Sequence, residues 1–226
     1  MNPMPQNIVD RDVTVFSPVA SPLLEQAAGR LRRQKAYSRP LSKGGARAAG
    51  LEDLLQQSEA CLAALARPQG ALVTVPVEAV SGRARIAGRV TIEDESLARD
   101  VAAGGQVAVY LLTLGVTQSQ SFDWLKGDYL AHHVQSDLGS EMLFAFARHV
   151  FSQQRSQMPS GARLKRVSVQ AEPMCGQKRS WDVDKVQSLL GVFDEIHSNA
   201  NPGVSVTNTG CFQPLQSLLG LTIQTA

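Results

Sequence analysis

The sequence lacks a long apolar run, is poor in aromatic residues and carries little net charge. No stretch approaches the roughly 18 apolar residues of a membrane helix, and the opening MNPMPQNIVDRD has neither the basic nor the apolar region of a secretion signal. Aromatic residues make up 5% of the chain and the formal net charge is +2. Nucleic-acid-binding domains usually present a strongly basic face. We therefore expect a cytoplasmic protein with neither a membrane nor a nucleic acid as partner.

Cysteine is also scarce, and the common site motifs are missing. The three cysteines, Cys61, Cys175 and Cys211, are odd in number and widely spaced, which indicates thiols rather than a disulfide framework. No GxGxxG, P-loop or GxSxG motif occurs. Adjacent His132 and His133 would diverge by about 100° on a helix, and no CxxC or HExxH is present. The sequence therefore predicts no zinc site.

Apolar residues, in contrast, are abundant. They make up 43% of the 226 residues, which is enough to bury a sizeable core in a single domain. Four prolines, Pro3, Pro5, Pro18 and Pro22, interrupt the first part of the chain, and proline supplies no amide hydrogen to a helix or a sheet. We expect residues 1–20 to be a loosely ordered arm, either extended or docked as a loose strand, and residues 21–226 to form one domain.

Apolar periodicity and β-branched runs predict both helices and strands. Helices are expected at Leu23–Tyr37, Leu51–Leu65, Asp128–Gln153 and Asp184–Ile196, and strands in ALVTVPVEAV, RARIAGRVTI, QVAVYLLTLGV, Leu164–Gln170 and Gly203–Asn208. After the last strand we expect a turn at Thr209–Gly210 and a polar return. There is no regular βαβ alternation, so the predicted fold class is α+β.

A basic, glycine-rich stretch, SRPLSKGGARAAG, follows the first predicted helix. Its glycines and proline predict a loop. The arginines and lysines between Arg30 and Arg47 are the one basic concentration in the chain. They form either a solvated surface or a patch for an anion or an acidic partner.

The longest predicted helix carries a carboxylate on or beside its apolar stripe. Apolar residues recur at four-residue steps from Leu130 to Val150, and Glu141 follows Leu138 by three residues. An unpaired buried charge costs several kcal/mol, so Glu141 needs a partner or water. An ordinary ion network with Asp137 and Arg148 and a contact with a ligand are both open interpretations.

Four segments in the second half of the chain share their order and spacing with one protein family. They are VYLLTLGV at 109–116, GDYLAHHVQSDLGSEMLFAFARHVF at 127–151, QAEPMCGQKRSWDVDKVQSLLGVF at 170–193 and GVSVTNTGCFQPLQSLLGL at 203–221. Together they resemble the activation domain of cobalamin-dependent methionine synthase, which also occurs as a free-standing protein. The resemblance implies an α+β fold with a twisted antiparallel sheet flanked by helices. It also implies binding of S-adenosylmethionine, the methyl donor presented to an oxidised cobalamin.

Carried over residue by residue, the resemblance implies a ligand site that this chain matches in part. The corresponding residues are Glu141, Gln170, Pro173, Met174, Cys175, Gly176, Cys211, Pro214 and Thr222. Gln170 stands at the family's arginine, and an amide lacks the planar charged fork that pairs with a carboxylate. Met174 and Cys175 replace the glycine and tyrosine of a Pro-Gly-Tyr turn, and Thr222 replaces an aromatic residue.

Three hypotheses about the function follow from this resemblance. The first is an accessory protein that binds S-adenosylmethionine and docks in trans on a corrinoid-binding methyltransferase, with cobalamin present only through that partner. The second is a non-catalytic interaction protein that has kept the fold and lost the ligand. The third is a thiol-based enzyme or corrinoid-handling protein in which Cys175 and Cys211 face one cleft; the alternative is that both cysteines are buried and unreactive.

Overall fold

The computed structural model describes residues 13–117, 119–120, 127–168, 183–196 and 200–226. Its strands are β1 (Val13–Phe16), β2 (Gln69–Val75), β3 (Val77–Val80), β4 (Arg83–Ile86), β5 (Val90–Ile92), β6 (Gln106–Thr113), β7 (Arg163–Ser168), β8 (Ser205–Val206), β9 (Phe212–Gln213) and β10 (Ser217–Thr225). Its helices are α1 (Ala20–Arg33), α2 (Lys35–Lys43), α3 (Gly45–Leu65), α4 (Glu95–Ala102), α5 (Tyr129–Ser156) and α6 (Val183–Ile196). Helices combined with antiparallel sheets confirm the α+β class.

A five-stranded antiparallel sheet in the order β1-β2-β6-β10-β7 forms the centre of the protein. Every residue of β6 after Gln106 is buried, as expected for an apolar run covered on both faces. The last strand, β10, pairs with β6 from Ser217 to Gln224 on one side and with β7 on the other. The expected return after the turn is β9, which pairs antiparallel with β8 through Ser205↔Gln213 and Val206↔Phe212. Beyond it the chain continues into β10, a long interior strand that the composition did not predict.

Alternation along the strands divides the core into two parts. One face of the sheet packs against α1, α3 and α5, and its β6 residues are Ala108, Tyr110 and Leu112. The other face packs against α6 and the small sheet β3-β4-β5, and its β6 residues are Val107, Val109 and Leu111. The sheet thus separates a helical layer from a mixed layer.

The N-terminal part of the described chain contains an edge strand and two helices. Residues 13–16 form the edge strand, paired with β2 from Val13↔Val73 to Phe16↔Gly70, which is one of the two forms expected for this segment. The expected loop SRPLSKGGARAAG is wrong, since α2 and the start of α3 occupy it. Pro40 lies inside α2, and Gly44, with φ 67°, marks the break between the two helices. Buried Tyr37 and Ala48 attach these helices to the core.

The long helix α5 begins close to the predicted position. The carboxylate of Asp128 accepts hydrogen bonds from the backbone N–H groups of Leu130 and Ala131 at 2.9 and 3.0 Å, which caps the helix. Its buried stripe consists of Val134, Leu138, Met142, Phe146 and Val150. Leu130, the first member of the predicted stripe, is 55% exposed. The helix prediction is confirmed, and the stripe begins one turn later.

A short hydrogen bond attaches α2 to α5. Tyr37 is buried, and its hydroxyl donates to Oδ2 of Asp137 at 2.6 Å. Burial, together with the hydrogen bond to Asp137 and the charge of that carboxylate, raises the pKa of Tyr37 above its usual value. The phenol therefore stays protonated and keeps donating well into alkaline conditions.

The contact between β10 and β6 leaves no room for a side chain at Gly220. A Cβ there would overlap the Tyr110 hydroxyl, and the Tyr110 ring packs edge-on against Phe151 with centroids 5.1 Å apart.

We expect Gly220→Ala to lower the free energy of unfolding by about 1–3 kcal/mol through overpacking, measured by urea denaturation. The matched control is Gly50→Ala, where a Cβ meets nothing within 4 Å in the interior of α3. It should raise stability by up to about 1 kcal/mol; equal effects at both positions would contradict this packing.

The Tyr37 hydrogen bond predicts a pH-dependent loss of stability. Tyr37→Phe should lower the free energy of unfolding by about 1–2 kcal/mol at neutral pH, because the lost bond involves a charged acceptor. The folded-state pKa is raised, so this contribution is complete below the unfolded-state pKa of about 10 and disappears as the pH rises through the folded-state pKa. Denaturation across this range should show the wild-type advantage shrinking. Tyr129→Phe, at a tyrosine that is 77% exposed, should change nothing, and a pH-independent Tyr37 effect would refute the account.

Candidate functional site

A polar cleft of about 670 Å³ lies where the chain leaves β6 and where the β8–β9 hairpin ends. We call it the Cys211 cleft. It is lined by Thr117, Ser119, Gly203, Ser205, Thr207, Thr209, Cys211, Phe212, Gln213, Pro214 and Leu215. This described lining contains five hydroxyl side chains and no charged one. The cleft therefore offers neutral donors and acceptors beside an apolar wall.

The turn that carries Cys211 is closed by its own hydrogen bonds. The backbone N–H of Thr207 donates to the carbonyl oxygen of Cys211 at 2.8 Å, and the N–H of Cys211 donates to Oγ1 of Thr207 at 3.1 Å. Gly210 has φ 83°, a conformation that glycine adopts without strain. The predicted turn at Thr209–Gly210 is confirmed. It holds the backbone of Cys211 in place while its side chain is exposed.

The Pro214 wall of the cleft is tied to the end of β6. The hydroxyl of Ser217 donates to the carbonyl oxygen of Pro214 at 2.7 Å, and its oxygen lies 2.8 Å from Oγ1 of Thr113. Thr113 Oγ1 also accepts from the backbone N–H of Gly115 at 3.1 Å. Both hydroxyl residues are buried. The start of β10 therefore fixes where the cleft wall stands.

The long helix supports the same wall through Gln216. This residue is 5% exposed and lies against Gly139 of α5. A Cβ at Gly139 would come within 3.0 Å of Cγ and Nε2 of Gln216, tighter than an ordinary van der Waals contact. The close approach of the wall to α5 thus depends on the glycine.

Glu141 lies in a different groove. This groove has a volume of about 450 Å³ and is lined by Arg30, Arg33, Gln34 and Glu141. Gln34 Nε2 donates to Oε1 of Glu141 at 2.8 Å. The sequence predicts that the Glu141 carboxylate needs a partner or water. In the structure this partner is the side-chain amide of Gln34, between α1 and α2.

Of the ion network proposed around Glu141, the structure shows a charge interaction between Glu141 and Arg148, without a salt bridge between them. Asp137 is engaged by Tyr37. Burial, followed by the like charge of Arg30, lowers the pKa of Arg148, and the charge of Glu141 opposes this shift. Nη2 of Arg148 is buried and has no hydrogen-bond partner among the described residues. The negative charge of Glu141 thus partly offsets the repulsion between the guanidinium groups of Arg30 and Arg148.

Thr222 is covered by α5. Its side chain is 1% exposed, and Oγ1 accepts a hydrogen bond from Gln154 Nε2 at 3.0 Å. In β10 it alternates with Leu221 and Ile223, which face the opposite core. Thr222 therefore lies within the helical layer and outside the described lining of the Cys211 cleft.

Of the predicted site residues that the structure describes, Cys211 and Pro214 share one cleft, and Glu141 and Thr222 lie elsewhere. Five others fall outside the described residues: Gln170, Pro173, Met174, Cys175 and Gly176. The ligand role of all nine stays a prediction. Sequence reasoning missed the hydroxyl lining, although the repeated Ser and Thr in SVTNTG were its visible signal.

The other described cysteine lies between two helices. Gln135 Nε2 of α5 lies 3.5 Å from Sγ of Cys61 in α3, and Cys61 is half-buried. Within the ranges given above, no group of three or more His, Cys, Asp or Glu side chains is placed to hold a metal ion. The same ranges contain no helix with the length and apolar character needed to span a membrane.

The comparisons with known proteins concern the fold. The chain is similar to a crystal structure of the MetH reactivation domain bound to AdoHcy, with a TM-score of 0.58 and 12% sequence identity, over 93% of this chain and 78% of that chain. No protein-family model matches the sequence, and neither does any protein in a search of curated sequences. The chain therefore has the fold of the MetH reactivation domain, as the four sequence segments implied.

Proposed function

We propose that this protein is an accessory, reactivation-type protein for cobalamin-dependent methyl transfer. In this proposal it binds S-adenosylmethionine in the Cys211 cleft and docks on a separate corrinoid-binding methyltransferase, which brings the cobalamin. The observation that carries the proposal is a structural neighbour of the same fold that holds AdoHcy. The cleft of about 670 Å³ falls in the size range of small-molecule sites.

The lining of the cleft suits the polar parts of such a ligand. The hydroxyl oxygens of Thr207 and Thr209 lie 2.8 Å apart, and those of Thr117 and Ser205 belong to the same lining. Hydroxyl groups donate and accept, which matches ribose and amino-acid groups. Phe212 and Leu215 add apolar surface. The chain's task is to hold and orient the methyl donor, and the cofactor of the partner carries the methyl-transfer chemistry.

Three observations favour the second candidate, a non-catalytic interaction protein on the same fold. The described lining of the cleft has no charged group to pair with an amino-acid carboxylate or a sulfonium. Thr222 is sealed beneath Gln154. The carboxylate of Glu141 is engaged by Gln34 in another groove. A protein that had lost the ligand would retain the walls of the cleft for structural reasons.

Calorimetric titration with S-adenosylmethionine tests the proposed cleft. The wild type should bind, and Cys211→Trp should abolish binding because the indole would occupy the cleft. The matched control is Ser160→Trp, at an exposed residue that lines a different cavity beside the chain terminus. It should bind like the wild type, and both variants should keep the wild-type melting temperature because both positions are exposed.

The variant Glu141→Ala tests where S-adenosylmethionine binds, independently of whether the protein binds it. Its affinity should stay within about twofold of the wild type, because its carboxylate belongs to another groove and contributes at most an exposed contact there. Loss of binding in this variant would move the ligand to that groove while keeping the function. No binding by the wild type at millimolar ligand, with and without a cobalamin-binding methyltransferase, would refute the proposal in favour of the second candidate.

A further inference from the structure

The small sheet β3-β4-β5 carries a second cavity, away from the Cys211 cleft. Its volume is about 560 Å³, and its lining is Val80, Ser81, Arg83, Arg85, Gly88, Arg89 and Thr91. We call it the arginine cavity. Three of these side chains are cationic and none is acidic. The two linings have no residue in common.

Strand alternation places two of these arginines, Arg83 and Arg85, on one outer face. In β4 the side chains of Ala84 and Ile86 are buried in the core, so Arg83 and Arg85 point outward. Val80 and Arg83 are paired across a two-residue turn, in which Ser81 and Gly82 have φ 49° and 77°. Such turns join neighbouring strands tightly. The arginines therefore stand side by side at the rim of a hairpin.

The guanidinium groups of Arg83 and Arg85 are each held by a contact that leaves further donors available. Nη2 of Arg83 lies 3.2 Å from Oε1 of Glu93. Nε and Nη2 of Arg85 donate to the carbonyl oxygen of Gly88 at 3.3 and 3.1 Å. A guanidinium has five N–H donors, so these bonds leave further donors on both residues. Side chains already positioned lose less conformational entropy when a ligand binds.

Arg89 is positioned by a glycine of α6. Its Nη1 lies close enough to Gly191 that a Cβ there would come within 3.2 Å. The guanidinium can lie along the helix because this position has no side chain. The third arginine therefore lies close to a second element, α6, while the described lining of the cavity comes from the small sheet and its turns.

We propose that the arginine cavity binds a small molecule carrying phosphate groups. Paired guanidinium forks match the oxygens of phosphate in a bidentate arrangement, and Ser81 and Thr91 add hydroxyl donors. The volume fits a compact ligand. Two carboxylates border the site: Glu93 on Arg83, and Glu78, the cross-strand partner of Arg85. Because these negative charges adjoin the cavity, the basic surface does not extend beyond it, which disfavours binding of an extended nucleic acid.

Titration with inorganic pyrophosphate at fixed ionic strength tests this proposal, with binding measured by calorimetry on the full chain. The wild type should bind, and the double variant Arg83→Gln/Arg85→Gln should bind at least about tenfold more weakly, since charge-assisted bonds are lost. The matched control is Arg39→Gln/Arg47→Gln, which removes the same charge from exposed positions on α2 and α3. It should bind like the wild type.

Three results would overturn the proposal. Equal weakening in both double variants would show that general electrostatic attraction is all that the surface offers. No binding by the wild type would show that the cavity holds no phosphate ligand. Binding of a single-stranded RNA oligonucleotide that the Arg83→Gln/Arg85→Gln variant loses, and that pyrophosphate does not displace, would assign the surface to a polymer. S-adenosylmethionine titrated into the same variants provides the readout for the Cys211 cleft, so failure at one site is distinguishable from failure at the other.

Discussion

The pairing of β10 with β6 is the constraint on which the rest of the structure depends. The last strand lies between β6 and β7 and joins the edge strand β7 to the other strands of the sheet. Its register brings Gly220 against Tyr110 at the centre and Ser217 against Thr113 at one end. The first contact requires a residue without a side chain. The second joins buried hydroxyls where the chain turns toward the Cys211 cleft.

This register also determines where a ligand site can stand. Pro214 is bonded to Ser217 at the start of β10, and Gln216 lies against Gly139 of α5. The backbone of the cleft wall therefore follows from contacts within the fold, whereas an exposed lining side chain such as Cys211 is less constrained by them. A fold shared at 12% identity is compatible with a different lining. This is why fold and ligand have to be argued separately.

Much of the architecture was predictable because its signals are local. The four-residue apolar steps predicted α5, and the apolar run of QVAVYLLTLGV predicted the central strand β6. Other elements are set by tertiary contacts that a local pattern does not show. In β10, Gly220 and Thr222 interrupt the apolar pattern because one fits under Tyr110 and the other bonds to Gln154. Similarly, the glycines and proline of SRPLSKGGARAAG predicted a loop where α2 and the start of α3 form.

The candidate site was predictable to a smaller extent. The resemblance placed Cys211 and Pro214 together, which the cleft reproduces. It could not reveal that Gln34 engages Glu141, because that bond joins residues far apart in the chain. Nor does it include the hydroxyl lining, although Ser205, Thr207 and Thr209 alternate in SVTNTG and could have indicated it.

The central claim is that S-adenosylmethionine binds in the Cys211 cleft. Amide chemical shifts of the ¹⁵N-labelled protein, recorded during titration with this ligand, test it most directly. The account predicts shifts concentrated in 203–215 and around Thr117, with little change around Glu141 and Gln34. Shifts centred on the Glu141 groove, or none at millimolar ligand, would contradict it.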